Sequence, residues 1–157
     1  MSSLKAGDPR TRVAIPRYVR SGVRSTREVL RYLHRRGVPS NDATRLVRSY
    51  HRQGWLDDQI GVRLWAEQWA RRGYAAAAIR VKLIDKGFDA HCIKETLNQF
   101  FPPTEDALRA RAFLAHRARH APGSASRTRL ARLLAARGFE PDLIEQLLGE
   151  SPSSDDA

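Results

Sequence analysis

A single cysteine, Cys92, excludes a disulfide framework and a cysteine-rich zinc site, and fits the reducing cytoplasm. No run of 18 apolar residues occurs, so the sequence offers no transmembrane helix. The opening MSSLKAGDPR lacks the apolar stretch of a secretory signal, which again points to a cytoplasmic protein. Lysine is scarce. Of 28 cationic residues only Lys5, Lys82, Lys86 and Lys94 are lysines, and the rest are arginines, whose planar guanidinium favours phosphate or carboxylate recognition. Acid is scarce as well, with 17 Asp and Glu leaving a formal net charge of +11. Period-two alternation over a β-branched run is missing throughout, which predicts an all-α chain. At 157 residues and 41% apolar content, one or two compact units can be built.

Charge is distributed unevenly. Residues 1–24 carry +5, 25–55 carry +5, 56–103 carry +1, 104–137 carry +6 and 138–157 carry −6. The first 24 residues, interrupted by Pro9 and Pro16, read as a basic and mostly disordered arm in which Ile15, Tyr18 and Val19 could form a small apolar anchor. Residues 150–157 read as an acidic disordered tail.

Between these ends a pattern recurs three times. Arg36-Gly37-Val38, Lys86-Gly87-Phe88 and Arg137-Gly138-Phe139 place glycines 50 and 51 residues apart. Val29, Ile79 and Leu130 lie eight residues before them, and Leu33, Leu83 and Leu134 four before. Ala43, Ile93 and Ile144 follow at six, then Val47, Leu97 and Leu148 at ten. Steps of four on both sides of a glycine predict two amphipathic helices joined by a tight turn. Ser25 and Ser126 stand where helix caps belong, with Glu28 completing a capping box, whereas Ala75 leaves the middle hairpin to rely on packing. A further helix precedes the second and third pairs, carrying Ile60, Leu64 and Trp65 in one case and Leu108, Ala112 and Phe113 in the other. Gly73 and Pro122-Gly123 end these helices. The expected division is a truncated repeat at 25–56, a second at 57–101 and a third at 104–149.

No catalytic constellation is visible, and an enzyme is not expected. His116 and His120 have legal zinc-ligand spacing, but no third ligand is near and the surrounding arginines oppose a cation. His91-Cys92 reads as a helix-start histidine beside a core-facing thiol. Glycines at helix ends account for Gly37, Gly54, Gly73, Gly87 and Gly138 without a phosphate loop. Asp57-Asp58 and Glu105-Asp106 open helices, where negative charge offsets the helix dipole. No cofactor or metal is implied.

What the chain does offer is cationic faces. Arg27, Arg31 and Arg35 form a ladder away from the apolar stripe of Val29, Tyr32 and Leu33, and Arg45, Arg48 and Arg52 form a second row. Arg71, Arg72, Arg80, Lys82 and Lys86 cluster around the middle repeat. Arg109, Arg111, Arg117 and Arg119, with Arg127, Arg129, Arg132 and Arg137, make a third group. Such strips suit an anionic polymer or an acidic protein groove, set against the plainer reading of a soluble arginine-rich exterior. Trp55, Trp65, Trp69 and Tyr74 read as core residues, Trp65 sharing a stripe with Leu64.

These residues resemble a known pattern. Gly54 followed by Trp55-Leu56-Asp57-Asp58, then Trp65, Ala70-Arg71-Arg72-Gly73-Tyr74 and Ile79-x3-Leu83-x3-Gly87, is similar to the RecX family of bacterial recombination regulators. Ser25-Thr26-Arg27-Glu28-Val29 resembles that family's S-R-x-E-L helix start. The likeness spans about residues 25–149, and departs from the family at Gly61-Val62 and Ala75–Ala78. It implies tandem three-helix repeats in an elongated, curved molecule that binds the RecA–DNA filament and modulates, most often inhibits, ATP hydrolysis and strand exchange. A monomer with no membrane contact is expected. The alternative is a stand-alone nucleic-acid binder without sequence preference. Helix starts such as Ser40-Asn41-Asp42 and Asp89-Ala90-His91 present acid where a base-reading helix would meet phosphate.

Overall fold

The computed structural model describes residues 9–120, 123 and 125–149, and every regular element among them is helical. In chain order these are α1 (Pro9–Arg20), α2 (Thr26–Arg35), α3 (Ser40–Arg52), α4 (Asp58–Arg71), α5 (Ala76–Asp85), α6 (Ala90–Phe100), α7 (Asp106–His120), α8 (Arg127–Ala136) and α9 (Pro141–Gly149). A 3-10 turn, Pro103–Glu105, leads into α7. The acidic tail expected at 150–157 and residues 1–8 of the basic arm lie outside the described residues.

Glycine shapes the turns as the spacing predicts. Gly37, Gly87 and Gly138 have φ of +75°, +88° and +83°, a left-handed conformation that a Cβ disfavours. At the first of them the Gly37 N–H donates to His34 O at 2.9 Å and the Val38 N–H to Leu33 O at 3.1 Å, so the last carbonyls of α2 are satisfied by the residues that end it. Gly87 and Gly138 close α5 and α8 with the same two-bond pattern. Gly54 and Gly73 also have positive φ at helix ends.

The molecule divides into two units. The first runs to Trp65 and includes Leu83–Thr96. Its core is Ile15, Val19, Val29, Leu33, Val38, Ala43, Val47, Tyr50 and Leu56, with Tyr18, Tyr32 and Trp55 packed at the margin. Part of the expected disordered arm is therefore a helix. Ile15 and Val19 lie one turn apart and are 4% and 1% exposed, and Tyr18 stacks on Tyr32 with ring centroids 3.8 Å apart and planes within 7°. Pro16 inside α1 costs about 3 kcal/mol, which two buried aliphatic side chains at about 1.5–3 kcal/mol each offset. At the start of α2 the capping box forms. Ser25 Oγ accepts from the Glu28 N–H at 3.1 Å, and the Ser25 N–H donates to Glu28 Oε2 at 2.9 Å.

The second unit comprises Ala66–Lys82 and the chain from Leu97 onward. Ala75, Ala110, Leu134, Phe139 and Ile144 form its core, joined by Phe113, Leu114, Leu143, Leu147 and Leu148. Ser126 Oγ accepts from the Arg129 N–H at 3.3 Å, capping α8 as its position predicts.

Two apolar stripes differ from the sequence reading. On α4 the buried side chains are Val62, Ala66 and Trp69, while Ile60 and Leu64 are 57% and 45% exposed. Following the Ile60–Leu64 stripe along the helix leads to Glu67 and Arg71, whereas the 62–66–69 stripe stays apolar, and the longer stripe wins. Trp65 is half-buried, its Nε1–H donating to Val23 O at 3.3 Å. On α7, Ala110 is buried with Phe113 and Leu114 against the core, and Leu108 is 67% exposed. Ala112 also faces solvent.

Candidate interaction surfaces

In the first unit α2 turns its ladder outward. Arg27, Arg31 and Arg35 are exposed, and at 100° per residue their mean direction is opposite to that of Val29 and Leu33, both fully buried. On α3, Arg45, Arg48 and Arg52 are exposed and lie across the helix from Ala43, Val47 and Tyr50. Arg45 reaches Asp42 at 3.8 Å, with both side chains well exposed, which contributes at most a few tenths of a kcal/mol. The stem of Arg27 runs close beside Gly87, where an added Cβ would meet its Cβ and Cδ at 3.2 Å.

The middle cluster is more mixed. Lys86 Nζ sits 3.8 Å from the centroid of the Trp65 ring, and in the second unit Lys82 Nζ lies 4.6 Å from Tyr74 and 5.8 Å from Trp69. Both lysines are half-buried over aromatic faces, whereas Arg71, Arg72 and Arg80 are exposed. Arg71 reaches Glu67 at 3.9 Å, and the Arg72 carbonyl accepts from Arg137 Nε at 3.1 Å.

The third cluster does not form one face. Arg137 is used internally, its guanidinium 4.2 Å from the Phe113 centroid. Arg109, 10% exposed, donates to Asp106 Oδ1 at 2.6 Å and to Pro102 O at 2.8 Å. Arg127 and Arg132 are both exposed but five residues apart on α8, about 140° around the helix. Arg127 Nη2 lies 3.7 Å from where a Cβ of Gly149 would stand, at the C-terminal end of α9 where a cation complements the dipole. On α7, His116 and His120 have ring centroids 4.3 Å apart. Among the described residues no group of three His, Cys, Asp or Glu is placed to hold a metal.

Two acids do more than open their own helices. Asp58 Oδ1 accepts from the Thr26 N–H at 2.9 Å and the Thr26 hydroxyl at 3.0 Å, which closes the start of α2. Asp106 Oδ1 accepts from the Ala76 N–H at 3.0 Å, which closes the start of α5. The middle hairpin therefore does have a side-chain cap, supplied from 30 residues downstream. The glycine turns complete the pattern. Lys86 O accepts from Ser25 Oγ at 2.8 Å, and Arg137 O accepts from the Ala75 N–H at 2.9 Å. Within each unit, one helix start is clasped by an aspartate and a turn carbonyl from later in the chain. The missing cap at Ala75 was the signal that another group had to serve those N–H donors.

Burial pushes the Cys92 thiol above its usual range, Asp58, Asp89 and Glu95 push the same way, and a hydrogen bond with Thr96 partly opposes them. The folded thiol holds its proton more tightly than the unfolded one, so its contribution to stability is complete below the unfolded pKa and is lost as pH rises above it. Native Cys92 is expected to react several-fold more slowly with iodoacetamide at pH 8 than in the urea-unfolded chain. Equal rates would remove the burial argument.

No protein-family model matches the chain. Regulatory protein RecX of Thermobifida fusca is 26% identical over 145 residues, covering 90% of this chain and 78% of that protein. Regulatory protein RecX of Streptococcus uberis is 24% identical over 135 residues, covering 84% of this chain. The match spans about half, 52%, of the Streptococcus protein's length. Similarity of about 25% over most of the chain supports the RecX family. The crystal structure of RecX from Lactobacillus salivarius shares its all-helical fold, with a TM-score of 0.65 at 17% identity over 87% of this chain and 91% of that one. A second crystal structure of a regulatory protein RecX gives 0.64 at 18% identity, covering 88% and 69%. What the chain shares with these structures is the helical fold, and the arginine rows and aspartate clasps are read from its own residues.

Proposed function

We propose that the chain regulates RecA by binding the RecA–DNA filament and lowering its ATPase and strand-exchange activity. The observation that carries this is the pair of arginine rows on α2 and α3, turned to solvent directly opposite the core and almost free of acid. The names of its relatives, regulatory proteins RecX, supply the kind of activity. The mechanism is occlusion. Helical units whose outer faces carry guanidinium groups meet exposed phosphate and acidic protein surface, and contact through more than one unit raises avidity without chemistry of their own. The α2 ladder, with Arg48 on α3, is the first set of contacts, followed by Arg71, Arg72 and Arg80, with Arg127, Arg132, Lys82 and Lys86 contributing less because the helix dipole or the aromatic rings already engage three of the four. This reading places a monomeric protein in the cytoplasm with no cofactor.

The test is RecA ATPase on single-stranded DNA with increasing protein, beside gel-shift titration on naked DNA. Dose-dependent inhibition supports the reading. Unchanged ATPase with tight binding to naked DNA would instead make the chain a stand-alone nucleic-acid binder. Reversing Arg27, Arg31 and Arg35 to Glu should leave helicity intact and reduce the slope of log K against log salt by about three, since each lost phosphate contact removes roughly one. An unchanged slope would move the DNA contact off α2.

A further inference from the structure

Asp58 and Asp106 occupy the first position of α4 and of α7 and perform the same task, which aligns the two helices residue by residue. In that alignment Ile60 corresponds to Leu108, Arg63 to Arg111, and Leu64 to Ala112. All six face solvent. Ile60 and Leu108 are among the most exposed large apolar side chains of the described residues, at 57% and 67%. One exposed leucine on a surface is ordinary. The same apolar-x2-Arg-apolar stripe, outward on both helices that deliver an aspartate clasp, is not accounted for by either core.

We propose that these two stripes, one in each unit, are the protein-contacting surface of the chain, and that the arginine rows of α2 and α3 are its phosphate-contacting surface. The occupant is the protein face of a filament of identical subunits, offering an apolar depression edged by carboxylates. The assignment rests on the reading above that the partner is such a filament. Charge selects the edge of that depression: Arg111 stands three residues beyond Leu108 on an exposed α7 stripe that contains no acid. Apolar content selects protein over nucleic acid, because a phosphate backbone gives Ile60 and Leu108 nothing to bury against. Occurrence once per unit fits a partner whose surface repeats.

The stripe and the ladder are separable by salt. Ile60→Gln and Leu108→Gln change no charge and alter exposed side chains, so thermal melting should be preserved. Each variant is expected to weaken retention on RecA filaments assembled on single-stranded DNA by about tenfold, the double variant by about a hundredfold, from apolar burial of roughly 1.5 kcal/mol per side chain. The slope of log K against log salt should stay that of the wild type, and binding to naked single-stranded DNA should stay within twofold. Wild-type retention with undiminished retention of the double variant would overturn the stripe while leaving the filament reading in place. An equal loss on naked DNA would overturn it by making the stripe a nucleic-acid wedge. Absence of wild-type retention would remove the filament reading itself, and the stripe with it.

Discussion

Asp106→Ala is expected to destabilise the second unit by about 4 kcal/mol, measured by urea unfolding followed by circular dichroism. One carboxylate oxygen accepts from the Ala76 N–H at 3.0 Å and from Arg109 Nε and Nη2 at 3.1 and 2.6 Å. Arg109 is only 10% exposed. Removing its partner leaves a guanidinium without its carboxylate at 2.6 Å, held by the neutral Pro102 carbonyl at 2.8 Å and by Glu105 at 3.5 Å, and uncaps α5 in the same step. Breaking one side of a buried pair costs about 3–5 kcal/mol, and a lost cap about 1. Asp106→Asn should recover part of the loss, because an amide oxygen still accepts from Ala76 without neutralising Arg109. A loss below about 1 kcal/mol for Asp106→Ala would show that the clasp is incidental.

Gly138→Ala gives the second large effect, best read against Gly54→Ala. Both glycines have positive φ, +83° and +71°, so an added methyl is strained at each by about 1 kcal/mol. At Gly54 nothing lies within 4 Å of the new carbon. At Gly138 it would sit 2.6 Å from the Ala78 Cβ and 3.2 Å from the Ala78 backbone nitrogen, forcing the α8 turn off the start of α5. The expected costs are about 1 kcal/mol for Gly54→Ala and about 3 kcal/mol for Gly138→Ala. For a chain of this size they correspond to a fall in Tm of about 3 °C and about 9 °C. Equal shifts would mean the turn is not seated on α5.

The contrast between these glycines shows what the sequence discloses. Residues whose partners lie within one turn were legible: Ser25 with Glu28, the glycine that ends each hairpin's first helix, and the ladder at 27, 31 and 35. Each follows from a local rule with a fixed spacing. Residues whose partners lie 30 or more positions away were not. Asp58 and Asp106 read as ordinary helix openers. The missing cap at Ala75 shows that α5 needs a partner, but no local rule points to Asp106, and Thr26 beside its own capping box gives no sign of needing Asp58. Local rules misled where two answers competed. Pro16 argued against a helix whose burial of Ile15 and Val19 decides the matter, and α4 offered two apolar stripes, of which the shorter remains outside. The candidate surface was legible as a set of arginines and not as a geometry. Helical angle separates Arg127 from Arg132, and aromatic rings draw in Lys82 and Lys86.

The clasps also bear on how the polypeptide is made. Thr26 waits for a residue 32 positions later and Ala76 for one 30 positions later. At a synthesis rate of about 10 residues per second, each helix start spends about three seconds unlatched after it is translated. Ser25 carries its own capping box through that interval, but Ala75 has no such side chain, so the middle hairpin is the stretch most exposed to mispairing on the ribosome.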